Sequence, residues 1–276
     1  MVRKMYLAIV ALALLVPSVW AQTVDEIIAK NIQARGGEEK LKSVHSLKST
    51  GTMSLGEGVE APGTLIQERP DKARLEFTVQ GLTAVQAYDG TKAWEIMPFM
   101  GKKDAELMSA DEAKEMQETA DIDGPLVDYK SKGNQVELLG KDKVEGTEVY
   151  KLKVTLKNGD VQTIYIDADS FLEIQEDTER MVRGTERDIE STIGDYKEVN
   201  GIMFPFAEES GLKGGTEKQK LTISKIELNV PVDDSIFRMP PPAPASPNPP
   251  APASEPSKGN SPNPANPPNP PNPPNP

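Results

Sequence analysis

Residues 72–80 read K-A-R-L-E-F-T-V-Q, so Ala73, Leu75, Phe77 and Val79 fall on one side of an extended chain, with charged and polar groups on the other. A period of two is the mark of a strand with one buried and one wetted face. The same alternation returns at Tyr150, Leu152, Val154 and Leu156, with Lys151, Lys153, Thr155 and Lys157 between them, and related runs continue almost to Val230. Parallel sheets are covered on both faces and read as continuous apolar runs, whereas alternation of this kind belongs to antiparallel sheets. The chain is thereby restricted to a large antiparallel sheet with one apolar face.

Turn chemistry divides that sheet. R-P-D, Q-G and Y-D-G-T separate strands at 62–69, 72–80, 82–88 and 92–98, after a first strand at 46–55, and Asn158-Gly159 marks a hairpin. Further strands are expected at 135–140, 148–157, 161–167, 172–181, 186–199, 202–210 and 217–228. In the last of these, Leu221 and Ile223 share one parity while Ile226 and Leu228 share the other, so a bend or bulge that changes the buried face is expected there. Helices interrupt the pattern twice. Thr23 with Glu26, and Ser109 with Glu112, have the spacing of capping boxes, which predicts helices over 23–35 and 109–119; a short helix is expected at 126–130. The first carries Val24, Ile27, Ile28 and Ile32 on one stripe and ends at Gly36-Gly37. The fold class is therefore mainly β (α+β): a half-open antiparallel barrel of about ten to twelve strands covered by helices.

The ends of the chain are different material. Arg3 and Lys4 precede an apolar run over 5–16, then Pro17 and the small-residue ending at Ala21, the pattern of a secretory signal peptide over 1–21. A membrane anchor is the competing reading, but the run is far shorter than the ~20 residues of a spanning helix. Residues 240–276 hold 18 of the 25 prolines and end in N-P-P repeats, so they lack the bulky apolar groups a core needs. A polyproline II rod is expected, acting as a spacer or as a docking strip for the cell wall or an envelope partner. One folded domain over 22–239 remains. The formal charge of −12 becomes −14 when Arg3 and Lys4 are removed, 29 cations against 43 acids, and an acidic body of this kind argues against nucleic acid. Cysteine is absent, which excludes disulfides and acylation at an N-terminal cysteine.

The familiar chemistries find little support. His45 is the sole imidazole and no nucleophile elbow accompanies it. Asp121-x-Asp123-Gly124 and Asp167-x-Asp169 are fragments of a calcium loop that do not continue to its closing glutamate, and read better as turn acids. Glu173, Glu176, Asp177, Glu179, Glu186, Asp188 and Glu190, interleaved with Arg180, Arg183 and Arg187, could supply the paired carboxylates of a hydrolase. Cross-strand ion pairs on a solvated face explain them more simply. No catalytic residue, metal or cofactor is expected, and the apolar sheet face is left as the working surface.

Three stretches carry a resemblance. Gly36-Gly37 runs through Leu41 to Ser46-Leu47-Lys48-Ser49-Thr50-Gly51; Tyr88-Asp89-Gly90 is followed by Ala93-Trp94 and Pro98; Gly194-Asp195-Tyr196 continues through Asn200-Gly201 to Phe204-Pro205-Phe206, with 232–240 closing the domain. In these the chain resembles the LolA-like envelope proteins, the outer-membrane lipoprotein-sorting family. The resemblance implies an incomplete barrel whose concave face takes acyl chains in the periplasm, and it implies no catalytic residue. In the best-known carriers an arginine ties the helical lid to the barrel; no position here matches it by sequence.

Hydrocarbon needs no directional partners, so an acyl site can be written in apolar side chains alone. Each buried methylene is worth ~0.8 kcal/mol, or ~8 kcal/mol for ten before ordering costs. The candidate lining is Leu75, Phe77, Val79, Val85, Trp94, Ile96, Met97, Phe99 and Met100, though plain core is the simpler reading of any one of them. The expected function is a periplasmic carrier of lipoprotein or lipid acyl chains, acting as a monomer. The alternatives are a non-enzymatic envelope sensor or scaffold that binds lipid or a protein partner, and, last, a carboxylate-based hydrolase.

Overall fold

The computed structural model describes residues 22–56, 58–182 and 184–241. The leader at 1–21 and all but the first two residues of the proline-rich tail lie outside them, as do the expectations placed there. Four helices, α1 (Val24–Ala34), α2 (Glu38–Lys42), α3 (Ala110–Ala120) and α4 (Tyr129–Lys132), accompany fifteen strands. The strands are β1 (Ser46–Ser54), β2 (Glu60–Glu68), β3 (Lys72–Val79), β4 (Leu82–Tyr88), β5 (Ala93–Met97), β6 (Lys102–Leu107), β7 (Gln135–Val144), β8 (Thr147–Thr155), β9 (Val161–Asp167), β10 (Glu173–Val182), β11 (Thr185–Gly194), β12 (Lys197–Val199), β13 (Ile202–Phe204), β14 (Ala207–Leu212) and β15 (Lys218–Leu228).

Thirteen strands form one antiparallel sheet in the order β6-β5-β4-β3-β2-β1-β15-β14-β11-β10-β9-β8-β7, and β12 and β13 form a separate hairpin. The ends β6 and β7 do not meet, so the barrel is open. The count exceeds the expected ten to twelve for two reasons. The run expected at 186–199 breaks at Asp195, which has φ 52°, and yields β11 and β12; the run at 202–210 likewise divides into β13 and β14. β6, K-K-D-A-E-L, carries no apolar alternation because it is an edge strand with little to bury. The helix expected at 126–130 instead begins at Tyr129, since Leu126 and Val127 are buried in the approach to it.

Both capping boxes form. Thr23 and Glu26 exchange bonds of 2.9 and 3.3 Å at the start of α1, and Ser109 and Glu112 exchange 3.2 and 3.3 Å at the start of α3. Three apolar clusters then fill most of the face that carries the helices. Ile27 and Ile28 of α1 sit on Leu152, Val154, Ile164 and Ile166. Leu41 and Val44 meet Val127, Phe204, Phe206 and Ile226. Met116 and Ala120 of α3 cover Ala73, Tyr88 and Ala93.

The strand β15 contains the expected bulge, with a different consequence. Thr50 pairs with Lys225 but Gly51 pairs with Ile223, leaving Ser224 as the extra residue, and its hydroxyl donates to the Thr50 carbonyl at 2.9 Å. Because one residue is skipped, Leu221, Ile223, Ile226 and Leu228 all face the helices. The bulge preserves the buried face instead of switching it. Gly51 is required at the crossing: a Cβ there would lie 2.5 Å from the Thr222 carbonyl oxygen.

The stretches that carry the family resemblance meet in space. A Cβ on Gly36, at φ +121°, would lie 2.3 Å from the Gly201 carbonyl oxygen, while Met203 donates its amide to the Arg35 carbonyl at 2.9 Å. Trp94 is 1% exposed, and its indole Nε1 donates to the Phe237 carbonyl at 2.7 Å in the closing segment. These residues join α1 to the β12–β13 hairpin and the C-terminal segment to the sheet, so they define the frame.

Candidate functional site

Register sorts the expected lining residues into two groups. Leu75 pairs with Leu65 and Gln86, and Phe77 with Gly63 and Ala84; both share the parity of Ala73, which packs under α3. Val79 follows the same parity and Met97 is buried on that side, so Leu75, Phe77, Val79 and Met97 lie on the inner face. Phe99 and Met100 sit in a 3-10 turn at its rim, with the rings of Phe77 and Phe99 5.9 Å apart. Val85, Trp94 and Ile96 have the opposite parity: Val85 pairs with Ile96 and Ala87 with Trp94, and Met239 covers them. These three belong to an outer-face core roofed by 234–239, because the closing segment supplies the carbonyl that the Trp94 indole needs.

The inner face is not fully filled. Between α3 and the strands β10, β11, β14 and β15 lies a half-open cavity of about 990 Å³, at the upper end of the ~300–1,000 Å³ typical of ligand pockets. Leu55, Val59, Ile189 and Leu212 supply apolar patches of its wall. The rest is polar. Glu118 of α3 accepts from Arg180 of β10 at 2.6 Å and from Asn158 at 2.9 Å. Glu176 accepts only from the Thr178 hydroxyl among the bonds seen, at 2.7 Å, and Glu208, paired with Ile193, stands two pairs along from Ser191 and Ser210.

Burial pushes all three carboxyls up. Glu176 rises to about 7, with Glu173, Glu208 and Glu118 adding repulsion against the Thr178 hydroxyl. Glu118 rises less, since Arg180 and Asn158 oppose its burial, and Glu208 rises against the opposing Ser191 hydroxyl. Two buried atoms here lack any partner: Gln162 Oε1 and Arg180 Nε.

The reading of 173–190 as a solvated ion-pair face is corrected at Glu176 and Asp177, while Glu179, Glu186, Arg187 and Asp188 are exposed. Glu176, Thr178 and Arg180 alternate toward the cavity, whereas Asp177 on the other face is buried and held by Lys213 at 2.6 Å and Tyr165 at 2.9 Å. The signal was present in the sequence: Gln175, Glu176, Asp177, Thr178, Glu179 and Arg180 give a strand with no apolar face, and unlike β6 it is not an edge strand of the sheet.

Two arginines fasten the cover. Arg180 joins the lid helix α3 to β10. Arg69, after β2, binds the Asp123 carboxylate at 2.7 and 2.6 Å and donates to the Val44 and Leu41 carbonyls at 2.6 and 3.1 Å. Asp123 is thus a buried structural acid, and Asp121 pairs with Lys132 at 2.5 Å. Asp167 is a turn acid, accepting from the amides of Asp169 and Ser170. His45 is exposed. Among the described residues no cluster of histidine, cysteine or carboxylate side chains has the grouping of a metal site.

Solved structures share this architecture. A putative outer-membrane lipoprotein-sorting protein domain from Vibrio parahaemolyticus is similar over 76% of this chain and 94% of its own, at 14% identity and a TM-score of 0.53. A LolA superfamily protein from Nitrosomonas europaea covers 79% and 98%, at 13% identity and 0.55, and a DUF1329 family protein from Desulfovibrio piger covers 79% and 98%, at 11% and 0.55. No sequence-family model matches the chain, and no curated protein matches it by sequence. The chain has a LolA-like fold: a mostly β, open antiparallel half-barrel with helices on its inner face. At these identities the likeness establishes the fold alone.

Proposed function

We propose that this protein binds the acyl chains of a lipoprotein or lipid inside its half-barrel and carries them through the periplasm. The observation that carries the reading is an inner sheet face that the helices do not fully cover, in a fold shared with a putative lipoprotein-sorting domain; the cavity of about 990 Å³ lies on that face, and none of the nine expected lining residues borders it. Leu75, Phe77, Val79 and Met97, with Phe99 and Met100 at the rim, form an apolar strip beside α3 that suits hydrocarbon. Access to it requires α3 to part from Ala73 and Tyr88, and the Arg180 to Glu118 pair is one of the bonds that would break. The leader at 1–21 would deliver the domain at 22–239 to the periplasm as a monomer, and the tail at 240–276 would serve as spacer or docking strip.

The test is to purify the full-length gene product from the envelope of its expressing cell, extract it with organic solvent and weigh what is released. Acyl lipid or acylated peptide near one per protein supports carriage, and Phe77→Asp should lower that loading while leaving the circular dichroism spectrum unchanged. A protein that emerges empty, and that stays empty when offered lipid, would favour the sensor or scaffold reading with a protein partner.

A further inference from the structure

Every strand of the main sheet is antiparallel to its neighbours, so the connections β1–β2, β3–β4, β5–β6, β8–β9, β10–β11 and β14–β15 all emerge at one end of the half-barrel. That end is the apolar one. Among the described residues seven large hydrophobics are exposed, and five of them stand there. Leu82 opens β4, Phe99 and Met100 lie in the turn between β5 and β6, Met181 is next to last in β10, and Leu212 closes β14. Leu107, at the far end of β6, and Leu139, within β7, are the two elsewhere. The glycines Gly56, Gly81, Gly101 and Gly214 of these connections have nothing within 4 Å of the place a Cβ would take, so the turns stand clear of the body.

Charge divides along the same axis. Counted with the strand residue on either side, the six connections hold Lys102, Lys157, Lys213 and Lys218 against Glu60, Asp160 and Glu217 among the described residues, four cations to three acids. The hairpins of the opposite end, at 68–72, 88–93, 144–147 and 167–173, hold three cations to seven acids. A strongly acidic chain therefore keeps its excess of acid away from the apolar end. The cavity opens at that end too, because Leu55, Gly56 and Val59 of one connection and Leu212, Thr216 and Glu217 of another border it. The Phe99 ring, 5.9 Å from that of Phe77, continues the apolar strip out to the same rim.

We propose that this end of the half-barrel rests on the surface of a phospholipid bilayer, with Leu82, Phe99, Met100 and Leu212 entering the acyl boundary and the lysines beside them staying among the headgroups. Side chains set singly on separate turns offer a protein partner no continuous patch, whereas a bilayer needs no matching shape and takes each one separately. Lysine stems lie along apolar surface while their ammonium groups remain in water. The near balance of charge spares this end the repulsion that an anionic headgroup layer exerts on the rest of the body. The inference deepens the carriage reading and rests on it for its purpose: hydrocarbon would pass between bilayer and half-barrel without crossing water.

The test is flotation of the gene product, purified from the envelope, with vesicles of phosphatidylcholine alone or with about 30% phosphatidylglycerol added. The parent should float with both, and at least as well with the anionic vesicles. Phe99→Asp combined with Met100→Asp should lower the bound-to-free ratio at least about tenfold, the scale of one apolar side chain lost from the acyl boundary. Leu107→Asp, at a leucine equally exposed but at the opposite end, should leave the ratio unchanged. All variants share the parent's leader and tail, so whatever those add cancels. Because the chain lacks cysteine, Met100→Cys and Leu107→Cys each take a single environment-sensitive dye, and vesicles should shift its emission to the blue at 100 and not at 107. An equal loss at Leu107→Asp, a dye at 100 that stays in water, or weaker flotation with the anionic vesicles would overturn the proposal. A parent that ignores vesicles and forms a dimer that Phe99→Asp dissociates would also overturn it and give the surface to a second copy. Lipid recovered from a protein that ignores vesicles would overturn the docking and leave carriage standing, and a protein that floats but stays empty would do the reverse.

Discussion

Replacing Glu176 with glutamine measures how poorly the cavity compensates its charge. Burial lifts this carboxyl from 4.5 to about 7, so the folded protein holds the proton more tightly than the unfolded chain does. The sign follows from proton linkage: the contribution to stability is full below about 4.5 and is lost as pH rises through about 7. The interval between those values converts to about 3 kcal/mol at 1.36 kcal/mol per unit, and water at the open mouth screens part of it, leaving about 1–3 kcal/mol. Glutamine has the shape of the protonated acid and still accepts from the Thr178 hydroxyl, so the substitution removes the ionisation and little else. Urea unfolding followed by far-ultraviolet circular dichroism at about pH 4 and about pH 8.5 is the assay. Parent and variant should coincide at the lower pH, and the variant should be more stable by about 1–3 kcal/mol at the higher one. Coincidence at both, or a variant weaker at high pH, would refute the view that the half-buried Glu176 lacks a counter-charge.

Three further outcomes are expected. Arg69→Ala strands the buried Asp123 carboxylate and two carbonyls, so urea unfolding should show a loss of about 3–5 kcal/mol, and Arg69→Lys should recover only part of it because an ammonium cannot reproduce the forked contact. Trp94→Phe removes the indole donor from the Phe237 carbonyl and should cost about 1–3 kcal/mol by the same measurement. Glu118→Gln replaces the ion pair with Arg180 by a neutral contact, and hydrogen exchange should then quicken across 110–120 while the amides of β8 and β9 keep their protection.

The parts of the fold legible in the sequence are those governed by local chemistry. The strand at 82–88 and the strand at 161–167 end where turn residues end them, and both capping boxes close as their spacing requires. What local pattern could not convey is facing. Ala87, Trp94 and Ile96 are apolar like Leu75 and Phe77, and only the pairing of β4 with β5 shows that they bury against the closing segment on the opposite side. The bulge at Ser224 was visible as a parity change, but its effect depended on the partner strand keeping register through Gly51. The cavity was hidden for a related reason: a carboxylate on a strand reads as solvated until its neighbours are placed over it, and Glu118, which closes the site over Glu176, comes from a helix 58 residues away in sequence.

The open barrel leaves two strands, β6 and β7, with unpaired edges, and in a crowded compartment an unpaired edge is a template on which a second chain can add. Here β6 presents Lys102, Lys103, Asp104 and Glu106, and β7 presents Glu137, Lys141, Asp142 and Lys143. Zipping either edge to a copy of itself would set charges against one another and strip them of water, a penalty that grows with each rung. The gap in the barrel can thus stay open at high protein concentration without becoming a seed for fibres.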